Sequence, residues 1–104
     1  DLYINDLSPT ALELCGEQLV RNEVSDFGVL LGRYEELDLP EVDVIVASFL
    51  VYNKETLKAM RAFVREKGCQ FILMNENLPD YQKFLTETQH EVIFEAEGAV
   101  CVML

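Results

Sequence analysis

The segment Val42–Leu50, VDVIVASFL, constrains the fold more than any other part of the sequence. Its residues are almost all apolar and several are β-branched, which is typical of a strand covered on both faces within a parallel sheet. A second run of this kind, Phe71–Met74, follows a segment with helical periodicity. Because parallel strands need long crossover connections, the two segments predict an α/β fold with Val42–Leu50 as a central strand.

Strand-like and helix-like segments alternate along the whole chain. Strands are predicted, in chain order, at Leu2–Ile4, Phe27–Leu31, Val42–Leu50, Phe71–Met74, Val92–Glu95 and Ala99–Met103. Helices are predicted from Ser8-Pro9 to residues 22–25, from Asn53 to Gly68, and over Tyr81–Thr86. This order predicts one α/β domain over residues 1–104, built as a three-layer sandwich. A mostly parallel, Rossmann-like sheet would carry helices on both faces and end in an antiparallel hairpin.

Apolar residues recur at helical spacing in the first two predicted helices. The residues that this spacing turns inward are Leu12, Cys15 and Leu19, with Ala11 and Leu14 beside them, in the first helix and Leu57, Met60 and Val64 in the second. Each helix is therefore expected to pack one apolar stripe against the sheet.

The composition argues against several classes of function. Eight Lys+Arg against 19 Asp+Glu leave a net charge of −11 in 104 residues, which repels phosphate backbones and anionic membranes. We therefore expect no general nucleic-acid binding. We also expect no membrane association, since in addition no apolar run approaches the ~20 residues that cross a bilayer. Cys15, Cys69 and Cys101 are widely spaced, which predicts no disulfide, no metal site and a cytoplasmic location.

Ligands in open α/β sheets bind at the carboxyl ends of the strands. The positions that this topology selects are Asn5-Asp6, Gly32-Arg33, Ser48–Tyr52 and Asn75–Asn77. A carboxylate such as Asp6 can accept both hydroxyl groups of a ribose diol, or it can cap the helix that follows and favour its positive end. The residue spacing leaves both roles open.

Charged residues cluster in two places. Lys54, Lys58, Arg61 and Arg65 form one basic stripe on the second helix, which is either a solvated face or a docking surface for an acidic protein partner. An acidic loop, with Glu35, Glu36, Asp38 and Glu41, lacks the spacing of a calcium site and is expected to be solvated. No glycine-rich phosphate loop is present, so nucleotide hydrolysis is not supported.

Three segments together resemble class I S-adenosylmethionine-dependent methyltransferases. LYINDLSPTALELCGEQLVRN resembles that family's second strand and following helix, and VDVIVASFLVYNKETLKAMRAFVREKGCQFILMN its fourth strand, helix and fifth strand. The closing hairpin resembles the family's final antiparallel pair. The resemblance implies S-adenosylmethionine as cofactor, with Asp6 on its ribose. Within the motif after the fourth strand only Ser48 and Tyr52 match, so they are the other cofactor-binding candidates; no catalytic residue is implied.

The family's glycine-rich cofactor loop follows its first strand, and this sequence contains neither. We therefore expect either a piece excised from a longer methyltransferase or a degenerate domain. In both cases the resemblance implies that the chain does not catalyse methyl transfer on its own.

A weaker resemblance is to a degenerate response-regulator receiver domain, which has a flavodoxin-like fold. Leu2–Ile4 would be its central strand, Asn5-Asp6 would lie at its acidic pair, and Ser48 would replace its phosphorylated aspartate. Such a pseudo-receiver would act in signalling by binding proteins. The sheet order separates the two resemblances, because a receiver places its first strand beside both the second and the third.

Overall fold

The computed structural model describes residues 1–104. The chain forms two compact units, Asp1–Glu41 and Val42–Leu104. The helices and strands of both units alternate as the sequence predicts, which confirms the α/β fold class. None of the helices is both long and apolar enough to span a membrane.

The N-terminal unit is a short βαβ arrangement. Strand β1 (Tyr3–Asp6) leads into helix α1 (Pro9–Arg21), and strand β2 (Gly28–Leu31) returns to pair with β1 in parallel. The helix begins where the sequence predicts, because the Ser8 hydroxyl accepts a hydrogen bond from the Ala11 N–H at 3.2 Å. Register pairs Asp6 with Leu31, so both strands end at the same edge of this small sheet.

The apolar stripe of α1 is only partly covered. Leu12 is buried, and Cys15 and Leu19 are half-buried, as the helical spacing predicts. Leu14, predicted to widen the inward stripe, is instead 57% exposed. The two-stranded sheet is too narrow to cover so wide a face, which explains the difference.

The C-terminal unit has four strands and two helices. They are, in chain order, β3 (Val44–Ser48), α2 (Lys54–Lys67), β4 (Gln70–Glu76), α3 (Pro79–Glu87), β5 (Glu91–Ala96) and β6 (Ala99–Met103). The strand order is β3-β4-β6-β5, with β3 and β4 parallel and the other two pairings antiparallel. The predicted closing hairpin is thus confirmed, and its second strand lies against β4.

Helix α2 has a defined start and end. Asn53 and Thr56 form a reciprocal capping box, and Gly68 ends the helix in a left-handed conformation at φ 60°. Leu57 and Met60 are buried as predicted, but Phe63 is buried in place of Val64, which is only half-buried.

Both helices of this unit cover the same face of its sheet. The Phe63 ring of α2 meets the Phe71 ring of β4 edge to face, with centroids 5.6 Å apart. The Tyr81 hydroxyl of α3 donates a hydrogen bond to the Val100 carbonyl of β6 at 3.0 Å. The prediction of helices on both faces therefore does not hold within this unit.

Strand β3 lies at the edge of its sheet, which differs from the central position predicted for Val42–Leu50. Val46 is 73% exposed and Val44 is 43% exposed, although the sequence is typical of a strand covered on both sides. Strand pairing in a sheet depends on distant segments, and the composition of β3 alone does not reveal that β4 is its only neighbour.

The strand order also bears on the receiver-like prediction. Strand β1 pairs only with β2, and β3 pairs only with β4. A flavodoxin-like sheet requires the first strand to pair with both the second and the third. The receiver-like alternative is therefore not supported.

Candidate functional site

Asp6 is the last residue of β1, at the carboxyl edge of the N-terminal sheet. Its Oδ1 accepts a hydrogen bond from the Ser8 N–H at 3.0 Å, and its backbone carbonyl accepts one from the Gly32 N–H at 3.0 Å. The neighbouring Asn5 side chain donates to the carbonyls of Leu30 and Gly32. These contacts fix the backbone on either side of the Asp6 carboxylate.

The Asp6 carboxylate keeps one oxygen for a ligand. Its side chain is exposed, and Oδ2 makes no hydrogen bond or ion pair within the chain. Ser8, not Asp6, is the N-cap of α1. The helix-cap role considered for Asp6 therefore belongs to Ser8, and Asp6 is left with a local turn contact and one free acceptor oxygen.

The second candidate segment is the loop Ser48–Tyr52, which joins β3 to α2. Several of its backbone N–H groups donate hydrogen bonds to residues outside the loop. The Phe49 N–H donates to the Met74 carbonyl at 2.8 Å, and the Tyr52 N–H donates to the Thr56 hydroxyl at 2.9 Å. Val51 anchors the middle of the loop, because only 2% of it is exposed.

The loop points several side chains outward. Ser48 is exposed, Phe49 is 50% exposed and Tyr52 is 60% exposed. Phe49 has φ 56°, a left-handed conformation that a residue with a bulky side chain rarely adopts. The two sequence-predicted residues, Ser48 and Tyr52, thus lie at opposite ends of this loop and offer one hydroxyl and one phenol ring.

Asn75 holds the middle of this loop. Its Oδ1 accepts from the Val51 N–H at 3.0 Å, and its Nδ2 donates to the Val51 carbonyl at 2.7 Å and to the Glu76 carbonyl at 3.0 Å. The sequence selected Asn75 only by its topological position. A hydrogen-bonded role for Asn75 could have been inferred from the sequence. Asn75 continues the alternation of inward-facing residues set by Phe71 and Leu73, and a buried amide needs hydrogen-bond partners.

Asp6 lies in the N-terminal unit, whereas Ser48, Tyr52 and Asn75 lie in the C-terminal unit. Within its own unit each of them lies at the carboxyl end of a parallel strand or just beyond it. This is the edge at which α/β sheets bind ligands.

Tyr81 is a buried phenol near the Ser48–Tyr52 loop's anchor that the sequence did not single out as functional. Desolvation by burial, with a smaller contribution from Cys101, raises the pKa of Tyr81 from 10.0 to about 12. Its hydroxyl donates to the Val100 carbonyl, and none of its surface is exposed. Tyr81 is therefore a neutral hydrogen-bond donor in the core and not an acid or base for catalysis near neutral pH.

The basic stripe on α2 is partly neutralised. The guanidinium of Arg61 pairs with the Glu87 carboxylate of α3, with Nε to Oε2 at 2.7 Å. Lys54, Lys58 and Arg65 are exposed and form no ion pair within the chain. Three of the four predicted cations therefore remain free for another molecule.

The acidic loop contains its own counter-charge. Arg33 donates to the Glu35 carboxylate from Nε at 2.8 Å and lies within 3.9 Å of the Glu36 carboxylate. A depression of about 540 Å³ in the N-terminal unit lies between Phe27 and the second half of α1. Since Phe27 precedes β2, this depression is at the opposite end of the strands from Asp6.

Comparison with known proteins identifies the fold. No family model matches the sequence, and no curated protein matches it by sequence. The chain superposes on a ribosomal protein L11 methylase from Lactobacillus delbrueckii subsp. bulgaricus with a TM-score of 0.71 and 17% identity, covering 97% of this chain and 55% of that one. An rRNA methylase from Streptococcus thermophilus gives a TM-score of 0.64 at 15% identity, with coverage of 97% and 72%.

A SAM-dependent methyltransferase from Aquifex aeolicus gives a TM-score of 0.61 at 17% identity and covers 97% of this chain and 67% of that one. The chain thus spans little more than half of the L11 methylase and about two thirds of the Aquifex enzyme. These likenesses confirm the resemblance to the class I methyltransferase fold that the sequence indicated.

Proposed function

We propose that this chain is a methyltransferase-type domain that binds S-adenosylmethionine, with Asp6 as the acceptor for the cofactor's ribose hydroxyls. The observation that carries the proposal is the free Oδ2 of Asp6, on an exposed carboxylate whose backbone is held from both sides at the end of β1. A carboxylate at this edge is suited to a diol, because it accepts hydrogen bonds and offers no donor.

Ser48 and Tyr52 are the further cofactor-binding residues of the proposal. Ser48 offers a hydroxyl at the end of β3, and Tyr52 offers an exposed ring at the start of α2. S-adenosylmethionine, when bound, supplies an activated methyl group. The contribution of these side chains would be to bind and orient the cofactor. Holding a methyl group close to its acceptor in the right geometry supplies most of the rate of such a transfer.

We further propose that the chain is one domain of a larger fold and does not catalyse methyl transfer on its own. The free edge of β3 supports this. Gln70 donates to the Asp43 carbonyl and Phe49 donates to the Met74 carbonyl, so the odd-numbered residues of this segment bond to β4. The even-numbered residues direct their N–H and C=O groups to the free edge, ready to pair with a further strand.

The side chains of β3 support the same proposal. Natural edge strands usually carry lysine, proline or a bulge that discourages pairing. Val44 and Val46 instead expose apolar surface beside unpaired backbone groups. A further strand at this edge would pair with those backbone groups, and the glycine-rich loop that the resemblance expects would follow it.

The proposed ligand role of Asp6 is tested by calorimetric titration with S-adenosylmethionine and S-adenosylhomocysteine. Asp6→Asn keeps the shape but exchanges an acceptor oxygen for a donor, so affinity should fall by roughly 10- to 100-fold, as expected for a hydrogen bond to a charged group. Asp26→Asn is the matched control, since Asp26 is an exposed aspartate before β2 at the other end of the same unit.

Two results would count against the proposal. A folded protein that gives no saturable heat with either compound does not bind this cofactor. Equal affinity in wild type and Asp6→Asn would remove Asp6 from the site, even if the cofactor binds.

The free cations of α2 support a protein partner with an acidic surface, as an addition to the same proposal. Lys54, Lys58 and Arg65 share one exposed helix face. Binding through them should weaken steeply between low and physiological salt, because exposed charges are screened. The free thiols of all three cysteines agree with a reducing, cytoplasmic location, which we also propose.

A further inference from the structure

Asn75 is the one strongly polar side chain in the core, with 3% of its surface exposed. A buried amide is unfavourable unless its donors and acceptor are all bonded. Here the partners are supplied by Val51, which lies 24 residues earlier in the chain, and by the adjacent Glu76 carbonyl. The Asn75 amide therefore forms the hydrogen bonds that its burial requires, and two of them go to the backbone of the Ser48–Tyr52 loop.

The loop that Asn75 holds is strained. Phe49, two residues before Val51, has φ 56° and is 50% exposed, so burial of its ring compensates only in part for its conformation. Left-handed conformations of bulky residues persist only when the surroundings enforce them, and they concentrate at functional sites. The two bonds from Asn75 to Val51, together with the Phe49 N–H bond to Met74, supply that enforcement.

We propose that Asn75 is a positioning residue for the candidate site: by bonding both backbone groups of Val51, it keeps Ser48 and Tyr52 at fixed places on the exposed side of the loop. The role in ligand binding rests on the proposed function. The hold on the loop itself does not, and it can be measured without any ligand.

The first arm of the test is amide hydrogen exchange in the ligand-free protein. In Asn75→Ala, the Val51 amide should exchange about 10- to 100-fold faster relative to the β4 amides, because it loses its buried acceptor. The control is Leu73→Ala, which lies on the same strand and the same buried face. It should lower the protection of all core amides together and leave the ratio between Val51 and β4 unchanged.

The second arm uses Asn75→Asp, which distinguishes a loss of hydrogen bonds to Val51 from a loss of side-chain volume in the core. At neutral pH the carboxylate cannot donate to the Val51 carbonyl, so the loop should open although the residue keeps its size. In acid the protonated carboxyl regains one donor and one acceptor, and the Val51 protection, normalised to wild type at the same pH, should return. A residue that only fills space would show no such recovery.

The third arm compares S-adenosylhomocysteine affinity among wild type, Asn75→Ala and Leu73→Ala. The proposal expects a loss of about 10-fold or more in Asn75→Ala only, because a mobile loop must be ordered on binding. An unchanged Val51 exchange ratio in Asn75→Ala overturns the positioning role, and so does equal affinity in Asn75→Ala and wild type. Wild type that fails to bind would refute the cofactor proposal, while the exchange arms still decide whether Asn75 holds the loop.

Discussion

Removal of the Tyr81 hydroxyl should lower the free energy of unfolding at neutral pH, but this loss should disappear at about pH 11. Tyr81→Phe deletes the donor to the Val100 carbonyl but keeps the ring, which is completely buried. A buried hydrogen bond of this kind contributes about 1 to 1.5 kcal/mol to the free energy of unfolding. At pH 7 the variant should therefore be less stable than wild type by about this amount.

Alkaline pH should remove that advantage. The pKa of Tyr81 is raised from 10.0 to about 12 in the folded protein. Between these two values the unfolded chain releases the proton while the folded chain keeps it, so deprotonation favours unfolding and stability falls as pH rises. The loss is about 1.4 kcal/mol for each pH unit, up to about 3 kcal/mol above pH 12.

The phenylalanine variant lacks this titration. The stabilities of the two proteins should therefore converge above pH 10 and become equal near pH 11, where the loss of about 1.4 kcal/mol matches the hydrogen bond. Urea unfolding of both proteins at pH 7, 10 and 11 measures the difference directly. Tyr52→Phe is the control, since Tyr52 is 60% exposed and this change likewise removes one phenol hydroxyl while it leaves the buried Tyr81 in place.

A difference between wild type and Tyr81→Phe that stays constant from pH 7 to pH 11 would refute the reasoning. It would mean that the hydroxyl titrates alike in the folded and unfolded chains, so the core around it is open to water.

Three smaller predictions follow from local contacts. Asn53→Ala breaks the capping box of α2 and should lower the free energy of unfolding by about 1 kcal/mol in a urea titration; no change would show that the cap is not formed in solution. The Val46 amide at the free edge of β3 should exchange much faster than the Ile45 amide, and equal protection would contradict the edge position. Glu87→Gln removes the ion pair with Arg61 on the surface and should change stability by less than about 1 kcal/mol; a larger loss would show that this pair is shielded from solvent.

The sequence predicted those parts of the fold that depend on neighbouring residues. Ser8 and Pro9 start α1, Asn53 starts α2 and Gly68 ends it, as their local chemistry dictates. The hairpin around residues 97–98 was predicted for the same reason. Each of these features is set within a few residues, so periodicity and turn chemistry suffice.

Features that depend on distant segments were not predicted. The composition of β3 indicates a central strand, but its position in the sheet depends on which other strands are present to pair with it. Strand β4 extends to Glu76, beyond the predicted end at Met74, because Asn75 and Glu76 pair with β6. Polar residues there resemble a loop until the antiparallel partner is known.

The sequence predicted where the candidate residues lie relative to their strands, but not the detail of their contacts. The carboxyl-end rule selected Asp6, Ser48 and Tyr52, and the structure places each at such an edge within its unit. The left-handed Phe49 could not be foreseen, because phenylalanine has no preference for that conformation. The loop in which it lies is bonded by Asn75 and Met74, which are far from it in the sequence.

The central claim is cofactor binding at the carboxyl edge, and an amide chemical-shift titration with S-adenosylhomocysteine tests it most directly. We expect saturable shifts at the amides of Asp6 to Ser8 and of Ser48 to Tyr52, and the ligand concentration at half-saturation should rise roughly 10- to 100-fold in Asp6→Asn. Shifts confined to the depression between Phe27 and α1, or no shifts in a folded protein, would contradict it.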